Sequence, residues 1–419
     1  MEIKELTNDE FNRFVSKYNL SSMYQTVEYG LVMNNQKAEP IFVGLINDIG
    51  DIVAASLILI EKLGQFKYAY APRGFLLDYT NNELLTEFTN EIKKFLHKKS
   101  VIAVKISPLI AKCKYTPSLN VTLANPSYDI IFKNLKQLKY YHLGYNNFFE
   151  AYKPRFIATA NLEADTNKMF NLLNQDIKEK ITECDLAGVR IYKGNENNLE
   201  FVYQDLREKK EKSKEYVNDL YKYFNSTGKA EVYFAQLETN IFLVNTRTEY
   251  QKQVNICSAI TDELFKNQGK SNKEIIQQKI IEENKLQALK NQLVYATNLL
   301  RNNPNGVIVA STLVIKHNNQ VYITLDGENE EYKHLCPKYI LIWKLMEKFA
   351  KEGYKEINLG GITNPNYDKE NEYKELNEFK LGFNGSCIEY SGDFELVTHT
   401  PLYLLYKNGA PFRLLKKQK

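Results

Sequence analysis

The 419-residue chain carries no CxxC pair, and its five cysteines, Cys113, Cys184, Cys257, Cys336 and Cys387, are dispersed and odd in number. A disulfide framework and a zinc knuckle are therefore unsupported. The histidines show no HExxH or similar ligand spacing, so no metal site is expected. No Walker A loop, GxGxxG turn or GxSxG elbow occurs, which sets aside the common nucleotide and serine-hydrolase sites. Long hydrophobic runs are missing as well. The longest clean apolar stretch near the N-terminus, Ile52–Ile60, is far too short to span a bilayer. Met1–Leu6 is charged and no signal-type apolar segment follows it, so a cytoplasmic, reducing location is expected. Charge of one sign is also lacking: 55 basic residues face 51 acidic ones, a net charge of +4. That excludes a generically polybasic nucleic-acid binder and leaves room only for a local basic patch that could hold RNA.

What is present is an ordinary globular composition, 43% hydrophobic and 25% charged, long enough for about two or three domains. A faint internal repeat organises it. Pro40–Ile46 reads as a strand, Asn47–Asp51 as a turn, and Ile52–Ile60 and Lys67–Gly74 as two more strands. Asn82–Lys99 carries Leu84, Leu85, Phe88, Ile92, Phe95 and Leu96 at helical spacing, and Val101–Ile106 is a fourth strand. The second half repeats the order. Ala230–Leu237, Gly306–Ile315 and Gln320–Leu325 read as strands, Lys338–Glu352 as a helix closed by Gly353, and Tyr354–Leu359 as the last strand.

The copies differ where the first has its turn at Asn47–Asp51. There the second carries a long helical insertion. Leu286, Leu289, Leu293, Ala296 and Leu300 are spaced as a coiled-coil seam, and Tyr250, Val254, Cys257, Ile260 and Leu264 run similarly. Asn267–Asn272 is a turn between them. The pattern predicts an antiparallel helical hairpin, Thr246–Arg301, projecting from a β-hairpin.

Other features read plainly. His97, His142, His317, His334 and His399 lack Ser or Cys partners in sequence and read as surface or packing residues. The charge run Arg207–Lys214 and the tail Arg413–Lys419 read as solvated, although the tail could touch anionic lipid or RNA. The repeated strand–strand–strand–helix–strand unit suggests an acetyltransferase (GNAT) topology by fold-level analogy. A coenzyme A user needs a Gly-rich turn opening the central helix. The segments ahead of Asn82 and Lys338 have none, so the acyl group must come from another donor.

Several runs, in order and spacing, carry a family likeness: Lys67–Asp78, Leu359–Ile362, Glu378–Asn384, Ile388–Phe394 and Pro401–Tyr406. Through them the chain resembles, over essentially its whole length, the Fem (FemA/FemB/FemX-like) peptidyltransferases of peptidoglycan bridge synthesis. The resemblance implies an α/β fold of two tandem GNAT acetyltransferase-like domains with an inserted antiparallel coiled-coil hairpin. The first domain would span residues 1–150, completed by 396–419. The second would span 151–395, with the arm at 246–301 inserted in it. The implied reaction needs no cofactor, because an aminoacyl-tRNA serves as co-substrate. It donates an amino acid such as Gly, Ala or Ser to an amine of the stem or bridge peptide of lipid II or UDP-MurNAc-pentapeptide. Further implied partners are the membrane surface, reached through a lipid-linked acceptor, and related transferases in homo- or hetero-oligomers.

The resemblance also points to residues. Phe379 and Lys380 fall on the family's Phe-Lys pair, and Lys380 is the catalytic candidate. On the residues alone they read as a core phenylalanine beside a surface lysine. Tyr216 falls near a substrate-contacting tyrosine, and Lys212 falls where members often place Arg. Lys37 and Arg73 complete the substrate-binding candidates. The chain departs from the family pattern at Met33, which stands where a phosphate-binding lysine is often found. It departs again at Ser107, where some members have Asp, and in the less basic segment Asp176–Gly188. Two rival readings are a coenzyme A-dependent N-acyltransferase and a degenerate member that only binds tRNA or a partner. Labelled acetyl-CoA and charged tRNA, offered separately, discriminate the first. Precursor binding without transfer would favour the second.

Overall fold

A computed structural model describes residues 1–116, 121–209, 213–266, 272–366 and 372–409. The chain runs through β1 (Glu2–Glu5), helices α1 (Asn8–Lys17) and α2 (Val27–Asn35), then β2 (Glu39–Ile46), β3 (Ile52–Leu63), β4 (Phe66–Ala71), α3 (Asn82–Lys98) and β5 (Val101–Ile106). β6 (Ala111–Tyr115), β7 (Val121–Ala124), α4 (Tyr128–Gln137), β8 (Tyr140–His142) and β9 (Phe156–Asn161) follow. Next come α5 (Thr166–Asn171), α6 (Gln175–Leu186), β10 (Val189–Gly194), α7 (Glu200–Lys209), α8 (Lys214–Ser226) and β11 (Ala230–Leu237). Two long helices, α9 (Thr239–Lys266) and α10 (Lys273–Asn302), lead to β12 (Val307–His317) and β13 (Gln320–Glu328). α11 (Pro337–Lys351), β14 (Glu356–Ile362), α12 (Lys374–Gly382), β15 (Ser386–Tyr390), β16 (Phe394–Val397) and α13 (Thr400–Gly409) come last.

Among the described residues the strands form two sheets. One has the order β1-β2-β3-β4-β5-β16-β8, the other β10-β11-β12-β13-β14-β9-β15-β6-β7. The fold is mixed α/β. The repeat read from sequence is visible in the pairing. β2–β3 and β3–β4 are antiparallel and β4–β5 is parallel. β11–β12 and β12–β13 are antiparallel and β13–β14 is parallel. In each copy a helix makes the parallel crossover, as parallel neighbours require. Asn81 caps α3 by accepting from the Leu84 amide at 3.0 Å, and Leu85, Phe88, Ile92 and Leu96 are fully buried. Each such side chain contributes roughly 1.5–3 kcal/mol of burial. Pro337 opens α11, a position where its missing N–H costs nothing.

The sheets do not part cleanly at residue 150. β6 and β7 lie before it, yet they extend the second sheet, β6 pairing with β15 from Cys387↔Tyr115 to Tyr390↔Ala111. β16 returns to the first sheet between β5 and β8. The chain therefore crosses between sheets repeatedly. A shared core joins them: Leu57 and Leu59 of β3 cluster with Leu313 and Ile315 of β12 and with side chains of α1, α2 and α8.

α9 and α10 pack antiparallel. The Phe242 and Tyr295 rings lie 6.3 Å apart near one end, and Gln253 Nε2 donates to Glu282 Oε2 at 2.7 Å further along. α9 begins at Thr239 rather than Thr246, because its first turns pack on the domain: Phe242, Ala296 and Leu299 belong to the second sheet's core. The Asn267–Asn272 turn falls almost wholly outside the described residues.

One histidine does have a serine partner. His317, at the end of β12, lies 2.8 Å from Ser21 Oγ and is buried. Burial lowers its pKa to about 4, so the ring is neutral at neutral pH. It ties the segment before α2 to the second sheet. Lys229 and Glu28 form a second tie at 2.6 Å.

Candidate active site

The second copy opens where the first stays closed. β13 and β14 pair only through Gln320↔Glu356, Val321↔Ile357 and Tyr322↔Asn358. Beyond that β14 bulges between Asn358 and Gly360 and continues along β9 as Gly360↔Ala158, Gly361↔Ile157 and Ile362↔Phe156. The ladder between the two parallel strands thus ends at Tyr322↔Asn358. Gly360 has φ +85°, and a Cβ there would lie 3.4 Å from Lys380 Nζ. A Cβ on Gly361 would lie 2.4 Å from Pro154 Cγ. The Gly-Gly pair is needed for backbone conformation at the first position and for close approach at the second.

Lys380, from α12, reaches this opening. Its Nζ donates to the Gly361 carbonyl at 2.8 Å. Phe379 holds the helix from the other side, 4.8 Å from the Tyr339 ring and 5.4 Å from Phe383. Lys180 of α6 lies 4.9 Å from the Tyr339 ring centroid and donates to Asp176 at 2.8 Å. Phe379 is half-buried against the core, as a packing phenylalanine would be, but its neighbour is not a surface lysine.

A second group of residues adjoins the first through Pro154. The Arg73 Nη2 donates to the Pro154 carbonyl at 2.8 Å, and its guanidinium lies 4.9 Å from the centre of the Tyr390 ring. Arg73 is only 5% exposed, and among the described residues no carboxylate forms an ion pair with it. Lys153, the residue before Pro154, places Nζ 3.4 Å from the Tyr24 ring centre and 3.4 Å from Tyr29 Oη. Tyr24 and Tyr29 meet edge-on at 5.1 Å. Tyr216, capped into α8 by Ser213, is buried against them and hydrogen-bonded to Tyr29. Burial raises the hydroxyl pKa of Tyr24, Tyr29 and Tyr216, so each is a neutral hydrogen-bonding group.

Of the residues singled out in sequence, Lys380, Phe379, Arg73 and Tyr216 line this connected region. Lys37 does not join it by any contact among the described residues. It is exposed just past α2 with φ +67°, beside the α2–α8 contact that Asn35 makes with Asp219 at 3.0 Å. Met33 packs against the shared core. Lys212 lies outside the described residues. Ser107 is not far from a carboxylate after all: its Oγ donates to Asp393 Oδ1 at 2.6 Å and lies 2.9 Å from Tyr70 Oη. Asp393 arrives from the segment before β16 and is paired with Lys105 at 2.9 Å. Sequence reasoning missed Lys153, Tyr24 and Asp393. A basic Lys-Pro-Arg run at the entry to β9 was the available signal for the first.

A groove of about 410 Å³ between β10 and α11 is lined by Arg190, Lys193, Lys344 and Lys348. Each of these has its own carboxylate, in Asp185, Glu231, Glu347 and Glu352 respectively. That groove offers little net charge to a ligand. The lysine in the strand opening, with the arginine–lysine–tyrosine wall beside it, is the stronger candidate for chemistry.

An ammonium fixed where two strands part, with a cationic tyrosine wall next to it, suits transfer of an acyl group onto an anionic acceptor. Comparison with known proteins agrees with that class. The FemAB family model matches residues 6–408, and the chain belongs to this family. It is 25% identical over 433 residues to the aminoacyltransferase FemA of Staphylococcus epidermidis, covering all of both chains. It is 23% identical to a lipid II:glycine glycyltransferase of Staphylococcus haemolyticus, covering 99% of this chain and 97% of that one. The crystal structure of FemX superposes with a TM-score of 0.74 at 18% identity, covering 97% of this chain and 99% of that one. No helix among the described residues is long and apolar enough to cross a membrane.

Proposed function

We propose that the protein is an aminoacyltransferase of peptidoglycan bridge synthesis. It moves an amino acid such as Gly, Ala or Ser from an aminoacyl-tRNA to an amine of the stem or bridge peptide of lipid II or UDP-MurNAc-pentapeptide. The observation that carries this reading is Lys380, held by the Gly361 carbonyl in the strand opening of a chain that matches the FemAB family along its length. The neutral acceptor amine attacks the ester carbonyl of the donor. The C–N bond forms, the amine loses a proton, and a tetrahedral oxyanion appears. Collapse breaks the C–O bond to the ribose, whose oxygen takes up a proton. A cation beside that oxyanion gains more in the transition state than in the ground state. Phe379 and Tyr339 fix the lysine's helix, which supplies the preorganisation.

Two acetyltransferase-like units, with the α9–α10 arm as an antiparallel coiled coil reaching tRNA or a partner enzyme, complete the assignment. The donor is the tRNA ester itself and no separate cofactor takes part. The reaction belongs in the cytoplasm, at the membrane surface when the acceptor is lipid-linked, with homo- or hetero-oligomers of related transferases as the expected assembly. Lys37 and Lys212 are assigned to the acceptor's phosphates. The deciding experiment incubates the protein with glycyl-, alanyl- or seryl-tRNA and either acceptor, followed by mass spectrometry. The expected product is the acceptor extended by one residue. Extension from acetyl-CoA instead, or from no donor, would overturn the assignment.

A further inference from the structure

Where β4 and β5 end and β16 begins, a row of hydroxyls runs onto a carboxylate, and the transfer chemistry above does not use it. Asp393 Oδ2 is paired with Lys105 Nζ at 2.9 Å, which favours an ionised, acceptor-only carboxylate. Ser107 Oγ donates to Asp393 Oδ1 at 2.6 Å, so the single serine proton is engaged in that bond. Tyr70 Oη lies 2.9 Å from Ser107 Oγ, and the proton between those two oxygens must then be the tyrosine's. Tyr70 therefore donates inward and turns only lone pairs outward. Among the described residues no group donates to that oxygen. Ser107 and Asp393 are buried, whereas Tyr70 is half-buried, so the row is fixed at its base and opens at the tyrosine. Burial first, and the charge of Asp393 second, raise the Tyr70 hydroxyl pKa, so it stays protonated.

This oxygen belongs to the wall beside the strand opening. Tyr70 packs on the shared core with Tyr24 and Tyr29. Its ring lies 5.2 Å from that of Tyr152, two residues before the Pro154 that accepts from Arg73 and packs against Gly361. An outward face that only accepts, at the end of a row polarised by a carboxylate, suits an N–H donor bearing positive charge. An anion finds no donor there. We propose that Tyr70 accepts a hydrogen bond from the attacking amine of the acceptor, and that Ser107 and Asp393 are positioning residues that keep its outward face acceptor-only. This rests on the aminoacyl-transfer reading above, which left the amine without a holder. The bond strengthens as nitrogen joins the carbonyl carbon and gains positive charge, so it favours the transition state over the ground state. The nitrogen is then held by Tyr70 and the oxyanion by Lys380.

The test uses the full-length protein and two acceptors, UDP-MurNAc-pentapeptide and lipid II, each with its amine free and with that amine acetylated. Calorimetric titration gives the preference for the free amine, which acetylation robs of its charge. Wild type should prefer the free amine of at least one acceptor about tenfold or more, the scale of a hydrogen bond to a charged group. Tyr70→Phe keeps the ring and should lower that ratio about tenfold or more. Ser107→Ala releases the tyrosine proton to turn outward and should lower the ratio too, whereas Ser107→Thr should retain it; thermal unfolding checks that each variant is folded. In transfer assays Tyr70→Phe should lower kcat more than it raises the acceptor KM. Wild type that binds neither acceptor, or binds free and acetylated forms alike, overturns the proposal, as does a folded Tyr70→Phe protein with the wild-type ratio. If that protein also transfers like wild type, Tyr70 loses its role and the transferase assignment stands. If no charged tRNA supports transfer while Tyr70→Phe abolishes the preference, the transferase assignment falls and Tyr70 remains an amine-binding residue.

Discussion

Replacing Lys380 tests the chemistry most directly. Lys380→Ala removes an ammonium and its 2.8 Å bond to the Gly361 carbonyl. Losing that bond, one made by a charged group, costs about 1.5–3 kcal/mol. The side chain is half-buried, so water can reach the freed carbonyl and the cost belongs at the lower end. A protein of ordinary stability, about 5–15 kcal/mol, survives that loss. The kinetic cost is larger in proportion. Losing one oxyanion donor slows the chemical step by about 10²–10³-fold, or 2.7–4 kcal/mol. The expected signature is a fall in kcat with the acceptor KM little changed. Lys380→Arg should rescue partly, because a planar guanidinium cannot occupy the ammonium's place beside Gly360. Single-turnover measurements at saturating donor and acceptor separate chemistry from product release. A folded Lys380→Ala protein that transfers at the wild-type rate would refute the reasoning and remove this lysine from the mechanism.

Three further outcomes are expected. Replacing residues 256–280 of the arm by a short Gly-Ser turn should leave the rest folded, whereas replacing 246–301 removes Ala296 and Leu299 from the core and should cost several kcal/mol, about the scale of large core truncations; chemical denaturation of both proteins checks it. Stability should fall as pH drops from about 6.5 toward about 4, because His317 stays neutral in the fold while its unfolded counterpart takes up a proton. The contribution is fully present above the unfolded value and reaches roughly 3 kcal/mol at most, and His317→Asn should flatten that part of the stability–pH curve. Affinity for charged tRNA should decline with added salt as phosphate contacts release counterions; salt-independent binding would contradict a tRNA donor.

The elements were legible because their period was strong. α3 shows its buried face at Leu85, Phe88, Ile92 and Leu96 directly in the sequence, and the two strand triplets are bounded by turn residues. The crossings between sheets were not legible. β6 and β7 follow Pro108 closely, and nothing local distinguishes a strand that continues its own sheet from one that joins another. Their pairing is decided by distant residues such as Glu389, a buried carboxylate that accepts from Tyr115 at 2.7 Å and pairs with Arg155. Part of the site was hidden for the same reason. Phe379 and Lys380 form a recognisable pair, and Arg73 sits in a recognisable run. Lys153 acquires meaning only when folding brings it against Tyr24, far earlier in the chain. Asp393 likewise stands beside Ser107 only because β16 inserts next to β5.

The duplicated unit explains how work is divided within the site. In the first copy β4 and β5 stay paired as far as Ala71↔Ile106, so no gap forms between the parallel strands. The chain then turns at Arg73, with φ +55°, and sends its guanidinium toward Pro154, just ahead of β9, and toward Tyr390 of β15. In the second copy the parallel pairing stops at Tyr322↔Asn358, and a lysine from the following helix occupies the gap. One topology thus ends in two different ways: a closed end that sends out a buried arginine and an open end occupied by a lysine. β9, the strand beside the opening, is entered through Lys153 and Pro154, and this is where the two ends meet. A shift at that junction would move Arg73's partner and the Gly361 backbone together. The short run Lys153–Arg155 thus joins the two sheets at the candidate site: Pro154 accepts from Arg73 and packs against Gly361, and Arg155 pairs with Glu389 of β15.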